Sequence, residues 1–394
     1  MTYRKFKADY LFTGKETMGQ DSVLITTAEG IVQDIVPAAD AGSDITYYPG
    51  WLSPGFINCH CHLELSHMRG RLPEGTELVD FLSLVIRSRG EKPEKIAEAI
   101  TAAEQEMLDN GIVACGDICN TTDTLPAKNE GRMHYHNFIE TMGFLEAAAA
   151  ARFAASQRIF GAFGEIYAYP LEGASITPHA PYSVSPALLK MTADFPGNQL
   201  LTIHNQETDA ENEFYLTGKG DFLRLYEAMG LDVSFFKGTG KRSLETILPF
   251  FYKNQTLILI HNVATTAADL ATIRTQQGPS LYFCVCPNAN LYISGRLPDI
   301  ELLRQSGITL VLGTDSLASN HQLDLLAEMK TLQRHFPHLE IPTLLEWATV
   351  NGAKALQLDP GLGTFSKGMQ PGVVHISNIE EGRLTETSRA RRLQ

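Results

Sequence analysis

The sequence has little positive charge and lacks long apolar runs. Its 394 residues carry 32 Lys and Arg against 45 Asp and Glu, a formal net charge of −13. Nucleic-acid binding depends on basic surface, so this balance argues against a nucleic-acid partner. A helix that crosses a membrane needs about 20 consecutive apolar residues, and no stretch of the sequence reaches that length. We therefore expect neither a nucleic acid nor a membrane as a partner.

Cysteine is also sparse, and its spacing does not suggest a disulfide framework. The six residues are Cys59, Cys61, Cys115, Cys119, Cys284 and Cys286. Secreted domains that depend on disulfides are short and rich in cysteine, whereas this chain is 44% hydrophobic and 20% charged, as in ordinary globular enzymes. The N-terminal residues show no apolar signal-peptide core. We expect thiols that pack as small apolar groups, and a cytoplasmic location.

What the sequence does contain is a regular alternation of strand and helix patterns. We predict eight buried strands, over residues 53–60, 111–118, 134–143, 174–179, 200–206, 256–262, 281–286 and 308–315. Helical patterns lie between most of them, for example at 93–109, 145–158, 186–193, 265–276 and 322–335. This alternation is typical of a (β/α)8 TIM barrel, an α/β fold.

Short strand patterns at both ends of the chain predict a second, smaller unit. They occur before residue 52 and again after Gly361, and neither group is large enough to form a stable unit alone. We therefore predict a small β-sandwich domain built from residues 1–52 and 356–394. The barrel would occupy residues 53–355.

The first barrel strand ends in two histidines with metal-ligand spacing. In the run PGFINCHCH, His60 and His62 occupy positions i and i+2. Side chains two apart on a strand point to the same face, roughly 6.5 Å apart along the chain. Two imidazoles placed in this way can bind one ion, with Zn–N distances of about 2.0–2.1 Å.

Three further strands also end in a residue that suits a metal or a proton transfer. His204 follows the apolar run LLTI and is followed by Glu207. His261 follows LILI, and Asp315 is the last residue of the predicted strand 308–315. In a TIM barrel the carboxyl ends of the strands meet at one face, where the chemistry occurs. Any one of these residues could be a core residue, but four strands that end in this way form a joint signal.

These motifs together resemble the amidohydrolase superfamily, and its nucleoside and purine deaminase branch in particular. The resemblance rests on the residues above and on the runs TPHAPYSVS (177–185) and GTDSLASN (313–320). It implies one divalent metal, zinc first with iron or manganese as alternatives, and a homodimer. It also implies ligands His60, His62, His204 and Asp315, with Glu207 as proton shuttle, His261 as partner of the attacking water, and Asp315 as acceptor of that water's proton. The fourth predicted strand, 174–179, ends in His179 and has no lysine nearby. This favours one metal ion over two metal ions joined by a bridging residue.

The segment after the first strand points to a small-molecule substrate. HLELSHMRG (62–70) is similar to deaminases of adenosine derivatives, and among them to the aminofutalosine deaminases of menaquinone biosynthesis, whose substrate carries a benzoate. A guanidinium can bind a carboxylate through two hydrogen bonds. We predict that Arg87 binds the carboxylate of the benzoate, with Arg89 and Arg296 as alternatives. His179 and Glu64 are further predicted substrate contacts.

Other activities fit the same residues. S-adenosylhomocysteine or methylthioadenosine would be alternative substrates of a deaminase, and a chlorohydrolase or a cyclic-amide hydrolase would use the same metal with a different leaving group. The alternative of another class is a scaffold protein that has lost its chemistry. It is disfavoured because all the implied ligands and the shuttle residue are present.

Overall fold

The computed structural model describes residues 2–164, 173–275 and 277–394. Its strands in chain order are β1 (Tyr3–Phe12), β2 (Thr17–Gly19), β3 (Ser22–Thr27), β4 (Val32–Pro37), β5 (Ile45–Pro54), β6 (Phe56–Cys61), β7 (Ile112–Cys119), β8 (His134–Thr141), β9 (Gly173–Pro178), β10 (Leu200–Asn205), β11 (Thr256–His261), β12 (Ser280–Val285), β13 (Thr309–Leu312), β14 (Val373–Glu380) and β15 (Arg383–Arg392).

Helices follow most of the strands from β6 to β13. They are α1 (Leu78–Ser88), α2 (Pro93–Asp109), α3 (Leu125–Lys128), α4 (Ala149–Gly164), α5 (Pro186–Asp194), α6 (Asp209–Thr217), α7 (Phe222–Ala228), α8 (Ser243–Ile247), α9 (Ala267–Thr275), α10 (Pro287–Ser294), α11 (Ile300–Gln305), α12 (Leu325–His335), α13 (Ile341–Ala348) and α14 (Val350–Ala355).

The eight predicted strands correspond to β6 through β13, and the five named helical patterns to α2, α4, α5, α9 and α12. Every residue of β6, β7 and β10 is buried, as expected for parallel strands covered on both faces. The last strand ends at Leu312 rather than 315, and Asp315 has a left-handed φ of 57°. Helix α12 begins three residues later than predicted, where the Asp324 side chain accepts a hydrogen bond from Leu326 N. Residue 276 of the predicted helix 265–276 lies outside the described residues.

The parallel strands pair as two four-stranded sheets, in the orders β6-β7-β8-β9 and β10-β11-β12-β13. Where β9 meets β10, His204 N donates to His179 O at 2.9 Å. Where β13 meets β6, the backbone amides of Thr314 and Asp315 both donate to His60 O at 3.0 Å. The α/β fold with eight parallel strands is confirmed, but among the described residues the strands do not form one continuous closed sheet.

Strands from both chain ends form a seven-stranded sheet in the order β15-β14-β5-β1-β3-β4, with β2 paired to β1. Strand β14 pairs with β5 through Val373 opposite Pro54, and only Gly55 separates β5 from β6. This sheet joins the two termini as expected. The second sheet of a sandwich and the domain boundaries at 52/53 and 355/356 stay predictions.

Two further expectations concern single features of the chain. All six cysteines are buried and none forms a disulfide, which agrees with their interpretation as small apolar side chains. In the part of the chain that the structure describes, we find no helix with both the length and the apolar character needed to span a membrane.

Candidate active site

The strand ends bring the predicted metal-binding side chains together. His60 Nε2 and His62 Nε2 lie 3.6 Å and 3.5 Å from Asp315 Oδ1. His204 lies on the neighbouring side of the cluster, and its ring centroid is 4.9 Å from that of His60. The close approach depends on Gly313, since a Cβ there would lie 2.8 Å from His60 Cβ and 2.9 Å from Cys284 Sγ.

These side chains fit a divalent metal ion. His60, His62 and Asp315 offer ligand atoms within 4.8 Å of one another, and His60, His204 and His261 do the same. Both ring nitrogens of His60 and Nε2 of His204 are buried with no hydrogen-bond partner among the described residues. Buried polar atoms are nearly always paired in native proteins, and neutral imidazoles with a carboxylate are ligands that zinc accepts. Burial lowers the pKa of His62 to about 3, which keeps this ring neutral at pH 7.

The carboxylate of Asp315 is ionised and held in place by its neighbours. Burial alone would raise its pKa, but His60 and His62 hold the pKa well below its usual range. Ser319 Oγ donates a hydrogen bond to Asp315 Oδ2 at 2.8 Å, which leaves Oδ1 directed to the histidines. An ionised carboxylate beside imidazole nitrogens is a suitable arrangement for a cation.

Glu207 lies beside this cluster, three residues after His204. It is 6% exposed, and its Oε1 lies 3.6 Å from His261 Nε2. Burial raises the pKa of Glu207 to about 8. His204 opposes this rise, and the charge of Asp315 contributes to it. A carboxyl group with such a pKa can both give and take a proton near neutral pH.

The loop that carries Glu207 is held by buried hydrogen bonds. Gln206 has a left-handed φ of 46°, a conformation that costs energy for a non-glycine residue. Its backbone amide donates to Glu211 Oε1 at 3.0 Å, and its side-chain amide donates to Asp269 at 2.9 Å and accepts from Thr265 at 2.7 Å. These contacts hold the backbone at Gln206, next to Glu207.

Glu140 is a site residue that the sequence analysis missed. It lies on β8, is 6% exposed, and places Oε1 3.6 Å from His204 Nε2. Burial raises its pKa, but His179, His204 and His62 together hold the pKa well below the usual value. Like Asp315, it is a carboxylate near the end of a predicted barrel strand, so the signal used for Asp315 could have found it.

Asn290 was also missed. It lies on α10, it is buried, and its Nδ2 is 3.0 Å from Nδ1 of His261. His261 Nε2 is 3.1 Å from His204 Nδ1, so both ring nitrogens of His261 have polar neighbours. No sequence motif marked Asn290, because its contact with His261 joins residues 29 positions apart and forms only in the folded chain.

A cavity of about 320 Å³ opens in front of these residues. His62, His204, Glu207, His261 and Asp315 line its inner part, and Glu140 and His179 line it as well. Its other walls are mainly apolar and come from α1, α7, α10 and the segment after β8, with Leu78, Phe81, Val85, Phe144, Leu225 and Ile293 among them. The cavity therefore has a polar inner end and a mainly apolar remainder.

Of the predicted substrate contacts, the structure brings His179, Glu64 and Arg89 to the cavity but not Arg87 or Arg296. Arg87 is exposed, with its Nε donating to Ser83 O on its own helix. Arg296 forms an exposed ion pair with Asp209 at 2.7 Å. The two arginines predicted to bind an anionic substrate group, Arg87 and Arg296, therefore do not line the cavity, because Arg87 donates to its own helix and Arg296 is paired with Asp209. Arg152 of α4, which the sequence analysis did not consider, lines the cavity instead.

Comparison with known proteins identifies the family of this fold and site. The amidohydrolase family, as a sequence profile, matches residues 51–378. The chain belongs to the amidohydrolase family. It is thus a hydrolase that acts on C–N bonds, as the resemblance to deaminases of the amidohydrolase superfamily implied, and members of the family bind a divalent metal.

Named relatives of this amidohydrolase are deaminases. An adenosine deaminase of Helicobacter pylori is 29% identical over 317 residues, covering 79% of this chain and 75% of that protein. A 5-methylthioadenosine/S-adenosylhomocysteine deaminase of Teredinibacter turnerae is 26% identical over 364 residues, covering 88% and 77%. The crystal structure of Helicobacter pylori aminofutalosine deaminase with methylthio-coformycin has a TM-score of 0.81 at 22% identity, covering 97% and 93%.

In this amidohydrolase, His261→Asn should lower turnover more than it lowers metal content. We assigned His261 to the attacking water and not to the coordination sphere, although the structure also places its ring within ligand distance of His60 and His204. We expect a loss of about 10²–10⁴-fold in kcat with most of the metal retained. Measurement of both metal content per chain and ammonia release distinguishes a residue that acts on the water from a metal ligand. If the variant is metal-free, His261 is a ligand.

Proposed function

We propose that this amidohydrolase deaminates an adenosine-type nucleoside that carries an extended, anion-tipped 5′ substituent, with 6-aminofutalosine as the first candidate. The main support for this proposal is the composition of the cavity. Glu207 and the possible metal ligands lie at its inner end, and Arg89 and Arg152 lie on a mainly apolar wall. The names of the relatives support the adenosine-type ring.

The inner residues suit the hydrolysis of an aromatic amine. His60, His62, His204 and Asp315 would hold the metal, which when bound lowers the pKa of water and so supplies a nucleophile at neutral pH. Loss of ammonia also requires a proton on the ring nitrogen next to the attacked carbon. Glu207, with a pKa of about 8, is protonated at pH 7 and can deliver that proton. His261, 3.6 Å from Glu207, would orient the water and stabilise the developing oxygen charge.

The apolar remainder of the cavity favours a long substituent. A methylthio group would fill little of it, whereas a benzoate offers an aromatic face to side chains such as Phe81, Leu82 and Phe144. A carboxylate at the end of that ring would then need a cation. Arg89 Nη2 lies 3.5 Å from Glu64 Oε1 and is partly neutralised. Arg152 has no carboxylate within ion-pair distance among the residues that the structure describes, so it is the better receiver.

Arg152→Met should raise KM for 6-aminofutalosine and leave adenosine almost unchanged. A hydrogen-bonded charge pair contributes about 1.5–3 kcal/mol, which corresponds to a change in KM of about 10- to 100-fold. The matched control is Arg87→Met, which replaces an exposed arginine outside the cavity and should change neither substrate. Equal losses on both nucleosides in Arg152→Met would contradict the role.

The substrate itself is tested by ammonia release from 6-aminofutalosine, S-adenosylhomocysteine, 5′-methylthioadenosine and adenosine. We expect 6-aminofutalosine to react far faster than adenosine. If S-adenosylhomocysteine or 5′-methylthioadenosine reacts as well or better, the protein is a more general deaminase of adenosine derivatives. If no 6-aminopurine releases ammonia, the nucleoside assignment is wrong, and a triazine or a cyclic amide becomes the substrate to test.

A further inference from the structure

Glu140 is a buried carboxylate on the cavity wall that has few donors around it. A carboxylate can accept about four hydrogen bonds. Asn120 Nδ2 donates to Glu140 Oε2 at 2.9 Å, whereas His204 Nε2, at 3.6 Å from Oε1, is too far away for a hydrogen bond. Oε1 therefore has acceptor capacity for a donor that a ligand would bring.

Glu64, the carboxylate we had predicted as a substrate contact, differs from Glu140 in this respect. Its Oε2 accepts hydrogen bonds from Asn120 N at 3.0 Å, Thr121 N at 2.9 Å and Thr121 Oγ1 at 3.0 Å. Arg89 lies 3.5 Å from its other oxygen. Glu64 thus ties the turn after β6 to the segment after β7, and little of its capacity remains for a substrate.

Glu140 also has a suitable neighbour. Glu140, His179 and His204 offer polar atoms within 4.8 Å of one another. Ser183 Oγ lies 2.6 Å from His179 Nδ1, which leaves Nε2 as the His179 nitrogen available to a ligand. A carboxylate oxygen and an imidazole nitrogen thus lie side by side, an arrangement that suits two adjacent hydroxyl groups.

The place of this pair in the fold indicates which part of a substrate it meets. Glu207 follows β10 and lies against His261 of β11. Glu140 is on β8 and His179 follows β9. If the reacting amine lies at the metal-type cluster with its ring nitrogen at Glu207, the group attached to the ring extends past Glu140 and His179. In an adenosine-type nucleoside this group is the sugar.

We propose that Glu140 and His179 bind the two adjacent ring hydroxyls of the substrate's sugar and so select ribonucleosides over deoxynucleosides. The proposal rests on the proposed nucleoside deaminase function. It makes Glu140, in place of Glu64, the carboxylate that contacts the substrate.

The test compares ammonia release from adenosine, 2′-deoxyadenosine and 3′-deoxyadenosine. In the unmodified protein we expect kcat/KM to fall by about 10- to 100-fold when either hydroxyl is removed, because each hydrogen bond involves a charged or strongly polar partner. Most of the fall should appear in KM. This comparison requires no variant, so it does not depend on the folding of a mutant.

Glu140→Gln should then reduce the preference for adenosine over the two deoxynucleosides to about threefold or less, with the metal content unchanged. Glu64→Gln is the matched control, because Glu64 is also a buried carboxylate in the cavity wall. Its replacement should leave the preference for adenosine over the two deoxynucleosides unchanged. Loss of metal from Glu140→Gln with equal losses on all three nucleosides would overturn the proposal and make Glu140 a residue that holds His204. A second metal bound per chain that is lost in Glu140→Gln would overturn it as well.

The two proposals fail in different ways. If adenosine derivatives are deaminated but deoxynucleosides react equally well, only the sugar-binding assignment is wrong. If no adenosine derivative releases ammonia, the nucleoside deaminase function is wrong and the sugar-binding assignment is overturned with it.

Discussion

Glu207→Gln is expected to lose about 10²–10⁴-fold in kcat while it keeps its metal and its melting temperature. The glutamine side chain has nearly the same shape as that of glutamate but cannot transfer a proton. The hydrogen bonds of Gln206 with Glu211 and Asp269 hold the loop and do not involve the Glu207 side chain. The expected loss is therefore one of chemistry and not of folding. Steady-state ammonia release, metal analysis and thermal unfolding of the same preparation measure the three quantities.

Glu213→Gln is the control for this variant. Glu213 lies on α6, six residues further on, and is exposed, so its replacement should leave kcat unchanged. Turnover of Glu207→Gln close to that of the unmodified protein would move the proton transfer to another residue, and Glu140 would be the next carboxylate to test.

The purified protein should hold one divalent metal per chain, and His62→Ala should lose most of it. Ammonia release should fall by roughly three orders of magnitude or more, because the pKa of water is about 15.7 without a metal and can fall to about 7 on a zinc ion. His62 Nε2 lies 3.5 Å from Asp315 Oδ1 in the cluster. Elemental analysis of the variant gives the metal content, and treatment of the unmodified protein with a chelator should reproduce the loss of activity.

His335→Ala serves as the control, since His335 is an exposed histidine near the end of α12. Restoration of the chelated protein with zinc, iron or manganese identifies the ion that supports turnover, because a site of three histidines and one carboxylate accepts several metals. Two metals about 3.5–4 Å apart at full occupancy would contradict the one-metal prediction.

Local sequence was sufficient to find the residues that end buried strands. His60 and His62 share a face because side chains alternate along a strand, and His204, His261 and Asp315 each follow an apolar run. Their convergence followed from the rule that active sites of this fold lie at the carboxyl ends of the strands. In the structure His62, His204, His261 and Asp315 line the cavity, and His60 belongs to the same cluster of possible metal ligands.

Residues on helices could not be selected in the same way. Arg87 and Arg89 are two positions apart, and we predicted Arg87 as the substrate contact with Arg89 as an alternative. On the helical surface they point in different directions, so Arg89 reaches the cavity while Arg87 folds back onto Ser83. Arg152 is distant in sequence and reaches the cavity through the packing of α4, where a Cβ on Gly143 would lie 3.0 Å from its Cγ.

The hydrogen-bonding partners of the buried carboxylates Glu64 and Glu140 likewise come from other parts of the chain. Glu64 was predicted as a substrate contact and Glu140 was not, but the donors that surround Glu64 come from residues 120 and 121, more than 50 positions away. By itself the sequence determined the order of the eight strands along the chain and which histidines and carboxylates follow their ends, because these depend on periodicity and on short motifs. Only the tertiary structure decided which arginines line the cavity and which buried carboxylate keeps free acceptor capacity, because hydrogen-bond partners and solvent access depend on contacts between segments far apart in the chain.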